Sequence, residues 1–147
     1  NNAYRPNEIE GVKRREFGSG IHANVDAMAR LGYLYLHGGR WKGQQLIPKW
    51  FTKQVRKPFP FMKGLSEHDP SQHDNASDHY CLLWWNNADG TLENVPRNAH
   101  WTWGLYDSLI VVFPGLDVVV ARAGKSWERT SDEHYAVLKP FFKPIVK

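Results

Sequence analysis

The residues best placed to do chemistry lie in the run His100-Trp101-Thr102-Trp103-Gly104-Leu105-Tyr106. Gly104 closes an aromatic segment without a side chain of its own, so a ligand can come close to the backbone N–H groups there. His100 either edges such a site or simply packs on the sheet. Trp101 and Trp103, two residues apart on a strand, share a face. They form either a substrate wall or an aromatic core ladder. Trp84 and Trp85 are adjacent and so face opposite sides, one toward a core and the other free to line a cleft. A second constellation, His68, Asp69, His73, Asp74, Asp78 and His79, invites a metal reading, since tetrahedral zinc takes such ligands. Its spacing matches no standard pattern and no cysteine joins it, so it reads as a solvated polar loop with no metal. His22 and His37 flank a helix as a lead-in residue and a C-terminal dipole partner, and His134 reads as a surface residue. The single cysteine, Cys81, excludes an internal disulfide framework and reads as a buried small hydrophobe. Asn75-Ala76-Ser77 fits a glycosylation sequon, a pattern without weight outside a secretory context.

The elements that position the aromatic run are legible around it. Ser108–Phe113 and Asp117–Ala123 are apolar β runs joined by a Pro114-Gly115 turn, which makes them an antiparallel hairpin. Their Val, Ile and Phe content suits strands covered on both faces. The spacing predicts a helix from Val25 to Leu36, capped by Asn24 and ended by Gly38-Gly39. Val25, Met28, Ala29, Gly32, Tyr35 and Leu36 share its apolar face, with Asp26 and Arg30 as an i,i+4 pair opposite. Gly32 in the middle of that face predicts close packing against a neighbour. Trp41-Lys42-Gly43 reads as a tight turn and Pro48–Val55 as a short helix opened by Pro48. Trp41 and Trp50 are expected to pack under the first helix. Residues 1–20 read as a loop, 21–56 as helical, 57–79 as a long loop, 80–123 as antiparallel strands and 131–142 as a helix. Within these, Tyr80–Asn86 and Asn98–Trp103 read as single strands. The last helix is capped by Ser131 or Asp132, with a face of Tyr135, Val137, Leu138, Phe141 and Phe142. Pro140 is expected to bend or end it. Strands in sequence with helices at both ends indicate an α+β fold, an antiparallel sheet with the terminal helix packed on one face.

Composition bounds the functional classes. The 147 residues are one domain's worth of chain, and 41% hydrophobic against 23% charged residues indicates a globular chain. The net charge of +4 comes from scattered basic residues. Only Lys13-Arg14-Arg15 forms a run, which reads as a solvated turn rather than a nucleic-acid surface. No stretch has the length of a membrane span, and no signal peptide is recognisable. The start Asn1-Asn2-Ala3-Tyr4, without Met, reads as that of a processed or truncated piece, and the compartment is not readable from it.

Four segments, in order, carry a resemblance. They are Gly18-Ser19-Gly20-Ile21-His22-Ala23-Asn24-Val25-Asp26-Ala27-Met28-Ala29-Arg30-Leu31, Gly38-Gly39-Arg40-Trp41-Lys42-Gly43-Gln44-Gln45-Leu46-Ile47, Tyr80-Cys81-Leu82-Leu83-Trp84-Trp85, and Ile110 to Val120. Together they resemble the serine β-lactamase-like superfamily, in the branch of class C β-lactamases, esterases, DD-peptidases and 6-aminohexanoate-dimer hydrolases. The resemblance implies the C-terminal portion of a β-lactamase/transpeptidase-like fold and a cofactor-free serine hydrolase that works through an acyl-enzyme. In that family the nucleophile is the Ser of a Ser-x-x-Lys motif, with a Tyr-x-Asn or Ser-x-Asn motif as second base. Neither is present: Ser19 meets His22, Ser66 meets Asp69, and Ser126 meets Arg129. Both motifs lie upstream in the family's order, which implies a missing N-terminal half or another chain as partner. The family's Lys/His-x-Gly triplet maps to Thr102-Trp103-Gly104. The N–H of Leu105 is then an oxyanion donor, with Thr102, Trp103, Gly104, Tyr106 and His100 around the substrate. Thr102 removes the cation that would hold a β-lactam carboxylate, and Trp103 points to a small apolar ester or amide. Tyr106-Asp107-Ser108 departs from the family's Gly-Gly-Gln and is unexplained beyond a reshaped rim. The alternative is a non-catalytic module that binds a ligand or partner on the same fold.

Overall fold

The computed structural model describes residues 7–9, 12–14, 21–62, 64–65, 76–127, 135 and 137–147. The chain begins with β1 (Asn7–Ile9) and β2 (Val12–Arg14), an antiparallel pair where the sequence reads only as a loop. Helix α1 runs Val25–Leu36, and the Asn24 side chain accepts from the Ala27 N–H at 2.8 Å. Gly38 and Gly39 end it with φ of +63° and +84°, a left-handed exit that favours glycine. Next come β3 (Arg40–Trp41) and β4 (Gln44–Gln45), closed by Lys42 and Gly43, both at positive φ as a two-residue hairpin turn requires. Helix α2 spans Lys49–Gln54 with Pro48 as its cap rather than its first residue, and α3 is the single turn Ala76–His79. Residues 66–75, which hold His68, Asp69, His73, Asp74 and Asn75, lie outside the described residues, as do Ser131, Asp132 and His134.

The main sheet has five strands in sequential order, all antiparallel. They are β5 (Tyr80–Cys81), β6 (Trp84–Asn86), β7 (His100–Gly104), β8 (Ser108–Phe113) and β9 (Val118–Arg122). One expectation is corrected here: Tyr80–Asn86 is not a single strand. Leu82 and Leu83 take φ of 50° and 69° and fold the segment into a hairpin. No Gly, Asn or Asp marks that turn. Leu82 packs against the core cluster of Tyr35, Val55, Trp84, Ile110 and Val112, which offsets a left-handed cost of roughly 1–2 kcal/mol, while Leu83 stays exposed. The β8–β9 connection occupies Pro114 to Asp117, with Asp117 at φ 56°, so β9 begins one residue later than expected.

The sheet separates two cores. On one face Tyr35 and Met28 of α1 and Val55 after α2 meet Trp84, Ile110, Val112 and Val119. On the other, Leu138 and Phe142 of α4 (Leu138–Phe142) meet Trp101, Leu109, Val111 and Phe113. Trp84 and Trp85 therefore face opposite cores, and Trp101 and Trp103 share the α4 face. β8 is buried on both faces, whereas β9 is only half-buried along its length. Pro140 neither bends nor ends α4. It lies in the first turn, where no intrahelical N–H is needed. Gly32 is the contact point of α1, since a Cβ there would come within 2.5 Å of Val119 Cγ1 and 2.8 Å of Ile110 Cγ2. Two helix-packing expectations fail. Val25 lies on the rim, 44% exposed, and Trp50 is 66% exposed rather than under α1. Trp41 is half-buried, edge-on to Tyr33 at 5.7 Å between ring centres.

Candidate functional site

The turn between β7 and β8 gathers most of the residues singled out by sequence. Gly104 pairs with Ser108, and the three residues between them, Leu105–Asp107, form one 3-10 turn closed by the Ser108 N–H on the Leu105 carbonyl. Tyr106 (φ 59°, ψ 27°) and Asp107 (φ 53°) are both left-handed. Such a conformation costs non-glycine residues roughly 1–2 kcal/mol each, so the surroundings must hold it. Leu105 and Tyr106 project outward at 82% and 66% exposure, while Asp107 is fully buried.

What holds the turn is a polar network beneath it. The Asp107 carboxylate accepts from the Trp103 indole N–H at 2.9 Å and from the Trp127 backbone N–H at 2.7 Å. Arg122 Nη1 donates to the carbonyls of Tyr106 (3.0 Å) and Asp107 (2.6 Å), and Nη2 donates to Lys125 O at 2.7 Å. Its guanidinium lies 4.2 Å from the centre of the Trp127 ring, a cation–π contact. Strand register assembles this group. Trp103 is opposite Leu109, and Leu109 is opposite Arg122, so Trp103 and Arg122 lie in one row across three strands. Arg122 and Trp127 were not singled out by sequence, and Asp107 only as part of a triplet read as a reshaped rim. The one available signal was an acidic residue at the mouth of a strand with no other polar group after Ser108.

The remaining expected site residues separate from the turn. Thr102 faces the α1 core, opposite to Trp103, and its hydroxyl oxygen accepts from the Ile110 N–H of the neighbouring strand at 3.2 Å. His100 lies at the other end of β7, fully buried, with ring centres 5.2 Å from Trp84 and 6.5 Å from Tyr35. Its Nδ1–H donates to Asn98 O at 3.1 Å, which leaves Nε2 as a lone pair facing the interior. Burial, the largest cause, together with the nearby Arg56 charge lowers its pKa to about 4 against the opposing effect of the Asn98 bond. His100 is a core residue in this structure, away from the exposed turn. The Cys81 thiol is buried, and its pKa is raised by desolvation, which disfavours the thiolate.

A second polar group has acid, imidazole and hydroxyl together but lacks the order catalysis needs. His79 Nδ1 is 3.1 Å from Asp89 Oδ1, and Thr91 Oγ1 is 3.4 Å from His79 Nε2. The Thr91 proton goes instead to Asp89 Oδ2 at 2.7 Å, so the imidazole does not activate the hydroxyl. His79 is also fully buried, beneath a short loop that this group braces. An open groove of about 560 Å³ lies between α1 and the β3–β4 turn, lined by Ala29, Arg30, Tyr33, Trp41 and Val119. Its lining holds no Ser, Thr, Cys or His, and Arg30 is already paired with Asp26, also in the lining, at 2.7 Å.

No protein-family model matches the chain, and no curated protein matches it. Among solved structures it is similar to a protein of Bacillus anthracis assigned as a 6-aminohexanoate-dimer hydrolase, with a TM-score of 0.53 and 20% identity over 84% of the chain. That likeness covers 28% of the other chain's length. The fold is therefore α+β with an antiparallel sheet, consistent with the C-terminal portion of a β-lactamase-like fold.

Proposed function

We propose that this chain contributes the sheet side of the active site of a serine hydrolase acting on a small ester or amide through an acyl-enzyme. The nucleophile is then supplied from outside the chain, by a preceding segment or another chain. The observation that carries the reading is the braced, solvent-facing turn at Gly104–Asp107, in the position the family resemblance assigns to an oxyanion donor. In the reaction, the substrate carbonyl oxygen gains negative charge as the serine attacks. A fixed N–H at Leu105 stabilises that charge without reorganising, an effect worth about 3–4 kcal/mol per donor. Leu105 and Tyr106 wall the acyl or leaving group with apolar surface. No cation replaces the family's Lys at Thr102, which favours neutral esters and amides over substrates with a carboxylate at that point. The name of the similar structure, a 6-aminohexanoate-dimer hydrolase, supports the hydrolase part of that reading.

A second reading, a binding module without catalysis, is favoured by one observation: no serine in the 147 residues has Lys three positions on. A fluorophosphonate probe applied to native material, with intact mass of every chain present, decides between them. Labelling of a Ser-x-x-Lys serine on a preceding segment or co-purifying chain is the expected result. Material containing only the 17.0 kDa species and taking up no probe would leave the binding module.

A further inference from the structure

We infer that Asp107 and Arg122 are positioning residues that set the direction of the Leu105 N–H, and that this is why Tyr106-Asp107-Ser108 stands at the turn. The inference rests on the reading of Leu105 as oxyanion donor. A three-residue connection with two left-handed non-glycine residues does not hold its shape alone. Its entry is fixed by the Gly104–Ser108 pairing. Its exit is fixed by Arg122, which ties down two consecutive peptide planes through the carbonyls of Tyr106 and Asp107. Asp107 anchors the turn from below, with one carboxylate oxygen on Trp103 and the other on Trp127. With both ends fixed, Leu105 and Tyr106 have little freedom left, although both are open to solvent. The guanidinium donates to two carbonyls of the turn and the carboxylate accepts from an indole and a backbone N–H, the arrangement expected of a brace.

The test uses Arg122→Ala and Asp107→Asn in the native assembly, read by hydrolysis of p-nitrophenyl acetate, thermal melting and amide exchange. Asp107→Asn keeps size and one acceptor but turns a donor toward Trp103 or Trp127. For both variants kcat is expected to fall by about tenfold or more, with KM within about twofold. Millimolar guanidinium is expected to restore part of the lost kcat to Arg122→Ala, and exchange of the Ser108 N–H, bonded to Leu105 O, to speed up about tenfold. Unchanged kcat in both variants, or a loss that follows only the melting temperature and is not rescued, overturns the inference. If the wild-type assembly neither takes up fluorophosphonate nor hydrolyses the ester, the hydrolase reading fails, and with it the Leu105 assignment. Ser108 exchange then still reports whether Arg122 holds the turn, so the two failures are told apart.

Discussion

Two charged or ionisable side chains, Asp107 and His100, are wholly buried along the same hairpin, and they differ in what burial does for them. Asp107 is surrounded by donors, two of which are the Trp103 indole and the Trp127 N–H. His100 has one carbonyl partner and an aromatic cage, so its neutral form is favoured. The unfolded chain binds a proton near pH 6.5 and the folded chain only near about 4. Stability is therefore present in full above the unfolded value and is lost as pH falls from 6.5 toward about 4. The loss amounts to about 3 kcal/mol at the acid end. His100→Asn, which keeps a donor toward Asn98, is expected to flatten that part of the profile. Melting temperatures at pH 7 and at about pH 4.5 check it, and an unchanged difference between them would assign the acid loss to other groups.

At the scale of elements, the α1–sheet contact depends on the absence of a side chain at position 32. The helix lies against β8 and β9 through Gly32, with Tyr35 filling the space over Trp84. Gly32→Ala would gain up to about 1 kcal/mol of helix propensity. It would also press a methyl group within 2.5 Å of Val119 and 2.8 Å of Ile110, at a cost of about 1–3 kcal/mol. Val119 is on the half-buried edge strand and has room to shift, but Ile110 is in β8, paired on both sides and buried, and has little. The net effect is expected to be a loss of about 1–2 kcal/mol, seen in denaturant titration as a lower midpoint with unchanged slope. An equal or higher midpoint would mean that α1 is not seated through Gly32.

For the molecule as a whole, β9 has no further strand on its outer edge among the described residues, and β8 beneath it is the most buried strand. Large apolar residues are also open to solvent, among them Ile21, Val25, Leu105 and Tyr106. An unpaired edge beside apolar surface is a template for association. The chain by itself is therefore expected to self-associate, or to be held soluble by a partner, with a sedimentation coefficient that rises with concentration. A monodisperse monomer with a single cooperative melt would show that the described surfaces are sufficient alone. No helix among the described residues is long and apolar enough to cross a membrane.

Local chemistry in the sequence determined α1, its Asn24 cap, its Asp26–Arg30 pair and its glycine stop, because each depends on residues within one helical turn of one another. The β8–β9 hairpin and the α+β class were legible for a similar reason. Uninterrupted Val, Ile and Phe with a Pro-Gly turn leave few other folds. Gly104 could be marked as an opening in the aromatic run, but not what frames it. Only tertiary structure decided that Leu82-Leu83 would turn, since what favours the turn is Leu82 packing on a core that includes α1 and β8. Only strand register brought Arg122 beneath Tyr106, 16 residues away, and carried His100 into the interior while leaving Leu105 in solvent. Pairing between strands is non-local, so a side chain's partners across the sheet are settled by which strands meet and in what register, and no short window of sequence contains that information.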